Sequence, residues 1–247
     1  MKHVLLVVVA VLFSFAAYAG QSVDYTVNGE AFQGYIAKAS GPSKGLVLIV
    51  HDWDGLTGYE EKRAEMLAAL GYDAFALDLF GKGNRPETTE GKMAETGKLY
   101  KDRDRMRSLL LGGLNEARRL SGNKVVVMGY CFGGAAVLEL ARSGKGGDVA
   151  GYATFHGGLA TPAGQSYPKN TPPLLIAHGG ADTSITMDDV ASLSKQLEAA
   201  SIQYEIQVYS GAPHAFTVFG TDRYRKVADE HSWSAFKDFL ATRLANS

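Results

Sequence analysis

The chain contains a single cysteine, Cys131, at the centre of the segment GYCFGG at residues 129–134. An apolar run typical of a β-strand precedes this segment, and a helix-forming run follows it. A strand, a tight turn and a helix with glycines on both sides of a nucleophile form a nucleophile elbow, here with cysteine in the place of the more familiar serine. The pattern predicts a displayed thiol at a helix N-terminus, where unpaired N–H groups and the helix dipole make a thiolate easier to form than in a free peptide.

Two further polar residues follow predicted strands at glycine-containing turns. Asp182 lies after a buried strand that ends in His-Gly-Gly-Ala, and His214 lies in the loop that follows the last predicted strand. Because the sites of open α/β sheets lie beyond the carboxyl ends of the strands, we expect Cys131, Asp182 and His214 to converge. Nucleophile, acid and histidine is also the chain order of α/β-hydrolases.

These side chains suit acyl transfer. We expect His214 to pair with the thiol or take its proton and later to activate water, while Asp182 fixes the tautomer and orientation of the imidazole. The developing oxyanion needs hydrogen-bond donors. We predict that these are the backbone N–H groups of Phe132, directly after the nucleophile, and of Trp53, in the loop after the first continuous apolar strand.

Short β-rich runs alternate along the chain with longer amphipathic runs, which is typical of a mainly parallel sheet with helices on both faces. An opening hairpin is predicted at Asn28-Gly29. The helical region over 90–120 is expected to break near Asp102 or at Gly112-Gly113. The predicted strands are 23–27, 31–37, 45–50, 73–77, 124–128, 149–155, 173–177 and 204–209, and the other predicted helices are 59–70, 135–141, 188–199 and 222–244.

The N-terminus has the features of a targeting segment. It has a basic start at Lys2, an uncharged apolar run over residues 4–17, and an Ala-Tyr-Ala ending. These features are typical of a secretory signal peptide, and the apolar run is shorter than the roughly 20 residues that span a bilayer. We therefore expect cleavage after Ala19, a single α/β domain over 20–247, and a periplasmic or secreted protein with no stable membrane anchor. An uncleaved signal anchor is the alternative.

The 247-residue chain carries 25 basic and 26 acidic residues, a formal net charge of −1. This balance indicates neither nucleic-acid binding nor binding to an anionic membrane surface. One thiol cannot form an internal disulfide, and His51, His156 and His178 lack the close spacing of a zinc site. We therefore predict no metal and no cofactor, and the oligomeric state stays open.

Three segments resemble the dienelactone hydrolase family of α/β-hydrolases: the elbow, the strand end HGGAD at 178–182, and GAPHAFTV at 211–218. The likeness runs over about residues 21–244. It implies an eight-stranded, mostly parallel sheet and metal-free hydrolysis of a small ester or lactone. It also implies a triad of cysteine, aspartate and histidine, the roles given above to Cys131, Asp182 and His214, with a cysteine thioester as the expected intermediate.

The resemblance also directs attention to charged groups near the thiol. Family members often carry a glutamate in the loop after the third strand that contacts the resting thiol; the matching residue is Asp52, which equally suits a carboxylate that accepts loop N–H groups. Enzymes acting on dienelactone hold the substrate carboxylate with arginines, one shortly after the catalytic histidine, but residues 215–221 contain none. Arg103, Arg105 and Arg107 offer another cation or, interleaved with aspartates, a solvated helix face.

Aromatic residues near the predicted strand ends suggest an apolar or aromatic ester pocket. Tyr100 and Phe216 are candidates for substrate contact, although core packing suits each of them as well. Two other classes of function remain open. One is a catalytically silent binding protein on the same fold, in which Cys131 is buried or His214 points away, and the other is a redox sensor built on the single thiol.

Overall fold

The computed structural model describes residues 20–122 and 124–245, and the predicted signal segment 1–19 lies outside this part of the chain. One eight-stranded sheet runs through it in the order β1-β2-β4-β3-β5-β6-β7-β8. Its strands are β1 Gln21–Val27, β2 Glu30–Ala37, β3 Leu46–Val50, β4 Asp73–Leu77, β5 Val125–Tyr130, β6 Gly151–Phe155, β7 Leu174–Gly179 and β8 Tyr204–Tyr209. The helices are α1 Gly58–Ala69, α2 Thr89–Lys101, α3 Arg103–Ser121, α4 Phe132–Ser143, α5 Met187–Ala199 and α6 Lys226–Arg243.

The sheet is antiparallel only at the edge formed by its first two strands. β1 pairs with β2, and β2 with β4, in antiparallel register. The remaining pairs are parallel, from β4–β3 across to β7–β8. The predicted hairpin is confirmed, because Asn28 and Gly29 both have positive φ angles, 52° and 82°, as a tight hairpin turn requires. The eight-stranded, mostly parallel sheet implied by the family resemblance is therefore present.

Helices cover both faces of the sheet. The core on one face includes Leu110 of α3 and Leu138 of α4, and the core on the other includes Leu67 of α1 and Phe236 of α6. The central strands β3, β4 and β5 are buried at every residue. This burial on both faces explains why these strands are continuous apolar runs. Within the described residues, no helix is long and apolar enough to span a bilayer.

The long helical region breaks at Asp102, one of the two predicted positions. Asp102 leaves helical geometry with ψ 83°, and its carboxylate accepts the Arg105 N–H at 2.9 Å, which caps the start of α3. The helix continues through the other candidate, Gly112-Gly113. A Cβ at either glycine would lie within 3.0 Å of Val27 or Leu77, so these glycines allow α3 to pack closely on the sheet. The closing helix begins at Lys226, later than predicted, because residues 221–223 form turns.

The elbow between β5 and α4 is a strained turn held by close backbone packing. Cys131 has φ 50° and ψ −114°, a conformation that non-glycine residues rarely adopt, and its N–H donates to the Phe155 carbonyl at 3.0 Å. A Cβ on Gly133 would lie within 3.0 Å of the backbone carbonyls of Val50 and His51. Glycine at position 133 therefore lets the elbow lie directly against the end of β3.

Substitution of Gly133 by Ala should distort this packing, because the added methyl group meets backbone atoms that cannot rotate away. We expect Gly133→Ala to lower the free energy of unfolding by at least about 2 kcal/mol, measured by urea denaturation. The control is Gly97→Ala in α2, where a Cβ meets nothing within 4 Å. That change should be neutral or stabilise by up to about 1 kcal/mol. Equal stability of the two variants would contradict the proposed role of Gly133.

Candidate active site

Cys131, Asp182 and His214 converge at the carboxyl ends of β5, β7 and β8. The Cys131 Sγ lies 3.1 Å from Nε2 of His214, and Nδ1 of the same ring lies 2.7 Å from Oδ2 of Asp182. The Asp182 carboxyl is fully buried, whereas the His214 side chain is 17% exposed. The two ring nitrogens thus bridge a thiol and a carboxylate at a partly open edge of the sheet.

The Asp182 carboxylate is held by its own turn as well as by the histidine. Its Oδ1 accepts the N–H groups of Ser184 at 2.8 Å and Ile185 at 2.9 Å. Burial opposes ionisation, but the hydrogen bonds from His214, Ile185 and Ser184 outweigh it and lower the pKa of Asp182. The carboxylate is therefore ionised at neutral pH and fixes His214 with Nδ1–H directed at Asp182, which leaves Nε2 facing the thiol.

The thiol is harder to ionise than the sequence predicts. Burial, followed by the charges of Asp52 and Asp182, raises the pKa of Cys131 to about 12, although the Phe132 N–H acts in the opposite direction. The expectation of an easily formed thiolate is therefore wrong, because the elbow places the sulfur in a partly buried site near the carboxyl groups of Asp52 and Asp182. In the resting molecule Cys131 is a thiol, and His214 is the adjacent group able to accept its proton.

The loop after β3 lies against the elbow and contains the second predicted oxyanion donor. The Leu79 N–H donates to Nε2 of the buried His51 ring at 3.1 Å, so Nε2 is the acceptor and the ring proton lies on Nδ1. This Nδ1–H group donates to the Asp52 carbonyl at 2.6 Å. Because the peptide bond is planar and trans, this bond also fixes the direction of the Trp53 N–H. The Phe132 N–H lies near enough to the Cys131 sulfur to oppose the rise in its pKa. The role of both N–H groups as oxyanion donors stays a prediction.

Asp52 takes part in a carboxyl cluster within its own loop. Its Oδ1 accepts the Asp54 N–H at 3.0 Å, and its backbone N–H lies 3.4 Å from Oε1 of the buried Glu60. Burial and the Asp54 carboxyl raise the pKa of Asp52 to about 9. Asp52 is therefore protonated at neutral pH. Only when it ionises, above neutral pH, does the charge of Asp52 oppose ionisation of Cys131, whereas Nε2 of His214 makes the direct contact with the sulfur.

The two aromatic candidates for substrate contact lie in different surroundings. The ring of Tyr100, 39% exposed, packs edge-on against Phe132 at 5.4 Å, beside the thiol. Phe216 is fully buried between His156 and Tyr209. The prediction that Phe216 contacts substrate is therefore wrong, because its ring completes the core behind the His214 loop.

Arg103 and Arg107 at the start of α3 are partly buried, contrary to a solvated helix face. Arg103 and Arg107 both pair with Glu139 of α4, whose side chain is fully buried, at 3.1 and 2.5 Å. Arg142 joins the same carboxylate at 3.1 Å. Arg105, the most exposed of the three candidate arginines, has a side chain 39% exposed and pairs with Glu30. Three guanidinium groups around one buried carboxylate form a structural link between α3 and α4.

Sequence reasoning missed the polar residues behind His214. The ring of His156 packs edge-on against the His214 ring at 5.3 Å, and its Nε2 lies 2.8 Å from the Thr217 hydroxyl. Thr217 in turn contacts Tyr59 and the buried Arg63. Their roles depend on contacts between residues more than 50 positions apart, for which the sequence carries no local signal. Across the described residues, no group of three or more His, Cys, Asp or Glu side chains could hold a metal ion.

The raised pKa of Cys131 predicts the pH dependence of its alkylation. Below the pKa, the thiolate fraction rises tenfold per pH unit, so the iodoacetamide rate should keep rising beyond pH 10. The rate is measured by intact mass, which reports one site because the chain has one cysteine. A short one-cysteine peptide with blocked termini, the control, should level off above a pKa of about 8.5. A protein rate that reaches its plateau below pH 8 would contradict this assignment.

Comparison with known proteins agrees with this geometry. The model of the dienelactone hydrolase family matches residues 32–244. "Protein usf" of Aquifex pyrophilus is 28% identical, and the match covers 90% of this chain and 99% of that protein. A Bradyrhizobium protein described as "Probable 2-oxo-3-(5-oxofuran-2-ylidene)propanoate lactonase" is 24% identical, and the match covers 90% of this chain and 94% of that protein. The crystal structure of a dienelactone hydrolase-like promiscuous phosphotriesterase from metagenomic libraries superposes with a TM-score of 0.82 at 25% identity, over 91% of this chain and 98% of the other. The chain has the α/β-hydrolase fold and belongs to the dienelactone hydrolase family of ester- and lactone-hydrolysing enzymes.

Proposed function

We propose that the protein hydrolyses small carboxylic esters or lactones through a thioester formed on Cys131. The observation that carries the proposal is the unbroken contact from thiol to imidazole to carboxylate, with separations of 3.1 Å and 2.7 Å. A silent binding protein does not require this alignment. A redox sensor leaves Asp182 and His214 without a role.

The first half-reaction transfers the acyl group to sulfur. Nε2 of His214 accepts the Cys131 proton as the sulfur attacks the carbonyl carbon, and the Asp182 carboxylate stabilises the resulting imidazolium. The tetrahedral oxyanion accepts hydrogen bonds from the N–H groups of Phe132 and Trp53. When the intermediate collapses, the C–O bond breaks, the alkoxide takes the proton from His214, and an acyl thioester remains.

The second half-reaction returns the free enzyme. Nε2 of His214 accepts a proton from water as the water oxygen attacks the thioester carbonyl. Collapse of this second tetrahedral intermediate breaks the C–S bond, and the sulfur regains the proton from His214. The carboxylic acid leaves, and in the case of a lactone it carries the alcohol group on the same molecule.

The high pKa of the thiol is compatible with this cycle. A partly buried thiol that gives up its proton only as it attacks is protected from reaction with other electrophiles. Because Asp52 is itself protonated at neutral pH, its carboxyl adds little negative charge beside the developing thiolate. Because the thiol keeps its proton until it attacks, the rate of acylation depends on how well His214 is aligned to accept that proton.

The surroundings of the thiol favour a small substrate with an apolar or aromatic part. The exposed ring of Tyr100 and the half-buried ring of Trp53 provide apolar surface there, and Lys92 lies over the Trp53 ring at 5.5 Å. Lactone hydrolysis is the activity in the name of the Bradyrhizobium relative. We propose lactones and short aryl esters as the first substrates to test.

Replacement of the nucleophile tests the proposal directly. Cys131→Ala should lower kcat for p-nitrophenyl acetate by on the order of a million-fold, as loss of a triad nucleophile does in other hydrolases. Cys131→Ser, the matched control for shape, should retain a trace of activity because a hydroxyl is harder to deprotonate than a thiol. Full hydrolysis by the alanine variant, with an unchanged circular dichroism spectrum, would exclude Cys131 as the nucleophile.

We also propose that the mature protein is periplasmic or secreted, on the basis of the basic start, apolar run and Ala-Tyr-Ala ending of residues 1–19. Expression of the full chain in a bacterial host should yield a protein that begins at Gly20, recovered outside the cytoplasm. Mass spectrometry of the N-terminal peptide checks this. Ala19→Arg at the cleavage site should prevent processing, and an intact Met1 on the recovered unaltered protein would contradict cleavage.

A further inference from the structure

A buried polar network lies behind the His214 ring. Starting from α1, Nε of Arg63 donates to the Tyr59 hydroxyl at 3.3 Å, the Tyr59 hydroxyl lies 2.7 Å from the Thr217 hydroxyl, and Thr217 lies 2.8 Å from Nε2 of His156. The His156 ring then meets the His214 ring edge-on at 5.3 Å. We refer to Arg63, Tyr59, Thr217 and His156 as the support network.

The donors of the support network have a preferred order. A guanidinium can only donate, so the Tyr59 oxygen accepts from Arg63 and its own proton is available for Thr217. When Thr217 accepts from Tyr59 and donates to Nε2 of His156, the neutral ring carries its proton on Nδ1, a buried atom with no hydrogen-bond partner among the described residues. Burial and the neighbouring His214 also lower the pKa of His156 well below its usual value.

The far end of the support network is anchored by a buried ion pair. Arg63, 1% exposed, pairs with Asp229 of α6 and donates to the Thr217 carbonyl at 3.0 Å. Its guanidinium also lies over the Phe219 ring at 4.3 Å and the Trp233 ring at 5.0 Å. Breaking a buried pair of this kind is costly because it leaves an unpaired charge. α1 and α6 thus provide a fixed base for the loop that carries His214.

Backbone conformation shows that the two histidines are held in place. His156 has φ 41°, and Ala215, directly after His214, has φ 62°. Positive φ angles at non-glycine residues cost free energy and persist where surrounding contacts enforce them. Thr217, a fully buried member of the support network, follows Ala215 by two residues. One strained residue, His156, is the hydrogen-bond partner of Thr217, and the other, Ala215, lies two residues before Thr217.

We propose that Thr217 and His156 are positioning residues for His214: the Thr217 hydroxyl holds the His156 ring, and that ring holds the imidazole of His214 in line with the Cys131 sulfur. This inference rests on the proposed role of His214 as the base. Neither residue contacts substrate in this account. Loss of the hydroxyl should therefore lower the rate of acylation without weakening substrate binding.

Paired variants of Thr217 test this inference. Thr217→Val keeps the shape and removes the hydroxyl, and Thr217→Ser keeps the hydroxyl and removes the methyl group. On p-nitrophenyl acetate the valine variant should lose about 10- to 100-fold in kcat with KM unchanged within about twofold, since small misalignments of reacting groups have effects of this size. The serine variant should retain kcat within about threefold. Thr171→Val, which removes a hydroxyl bonded to the Pro168 carbonyl before β7, should leave both constants unchanged.

A second variant keeps the test decisive if Thr217→Val does not fold. Tyr59→Phe removes only the hydroxyl that orders Thr217 and should lower kcat about three- to tenfold, again at constant KM. Where both single variants fold, the double variant should lose less than the product of the two losses, because both act through one chain of bonds.

Three results would overturn the inference. They are full kcat in Thr217→Val and Tyr59→Phe, equal losses in the serine and valine variants, and a loss that appears mainly in KM. These results are separable from failure of the proposed function. If Cys131→Ala is inactive and Thr217→Val is fully active, the triad stands and only the support network fails.

Discussion

The arrangement depends on the close approach of two backbone segments at the end of β3. The elbow can lie against the carbonyls of Val50 and His51 only because residue 133 has no side chain. That contact sets the height of the Cys131 sulfur above the sheet. It also brings the loop containing Asp52 and Trp53 beside the nucleophile, while parallel pairing of β5, β6, β7 and β8 places Asp182 and His214 at the same edge. One steric constraint thereby brings together groups that lie far apart along the chain.

Burial gives the thiol and the carboxylate opposite properties. Asp182 is buried and Cys131 is partly buried, yet Asp182 receives three hydrogen bonds to its charged form and stays ionised, whereas the thiol lies near carboxyl groups and stays protonated. The imidazole between them is held from the Asp182 side by a bond and from the His156 side by packing. A protonated nucleophile makes the alignment of this base more important than it would be for a preformed thiolate.

The elbow and the triad could be predicted from the sequence because their signals are local. Gly129, Cys131 and Gly133 specify a turn, and Asp182 and His214 follow strands whose apolar runs are unambiguous. The strand from Asp73 to Leu77 and the strand from Tyr204 to Tyr209 match their predicted bounds for the same reason. Phe216 follows His214 by two residues, but its burial depends on where the loop folds back on the core.

Electrostatics could not be predicted in the same way. The effect of a helix N-terminus on Cys131 is visible in the sequence, whereas the depth of its burial and the proximity of Asp52 are properties of the folded chain. Likewise, Arg103 and Arg107 alternate with aspartates like a surface face, and only the packing of α3 on α4 brings them to Glu139. Arg63 gives no signal in the sequence because its partner Asp229 lies 166 residues away.

The proposed mechanism requires turnover to pass through an acyl group on Cys131. Acid quenching of the enzyme during hydrolysis of a slow p-nitrophenyl ester, followed by intact mass measurement and peptide mapping, tests it most directly. We expect an increase in mass equal to one acyl group, located on the peptide that contains Cys131 and removed by hydroxylamine. Turnover with no adduct under conditions in which p-nitrophenol appears as a burst, or an adduct on any other residue, would contradict it.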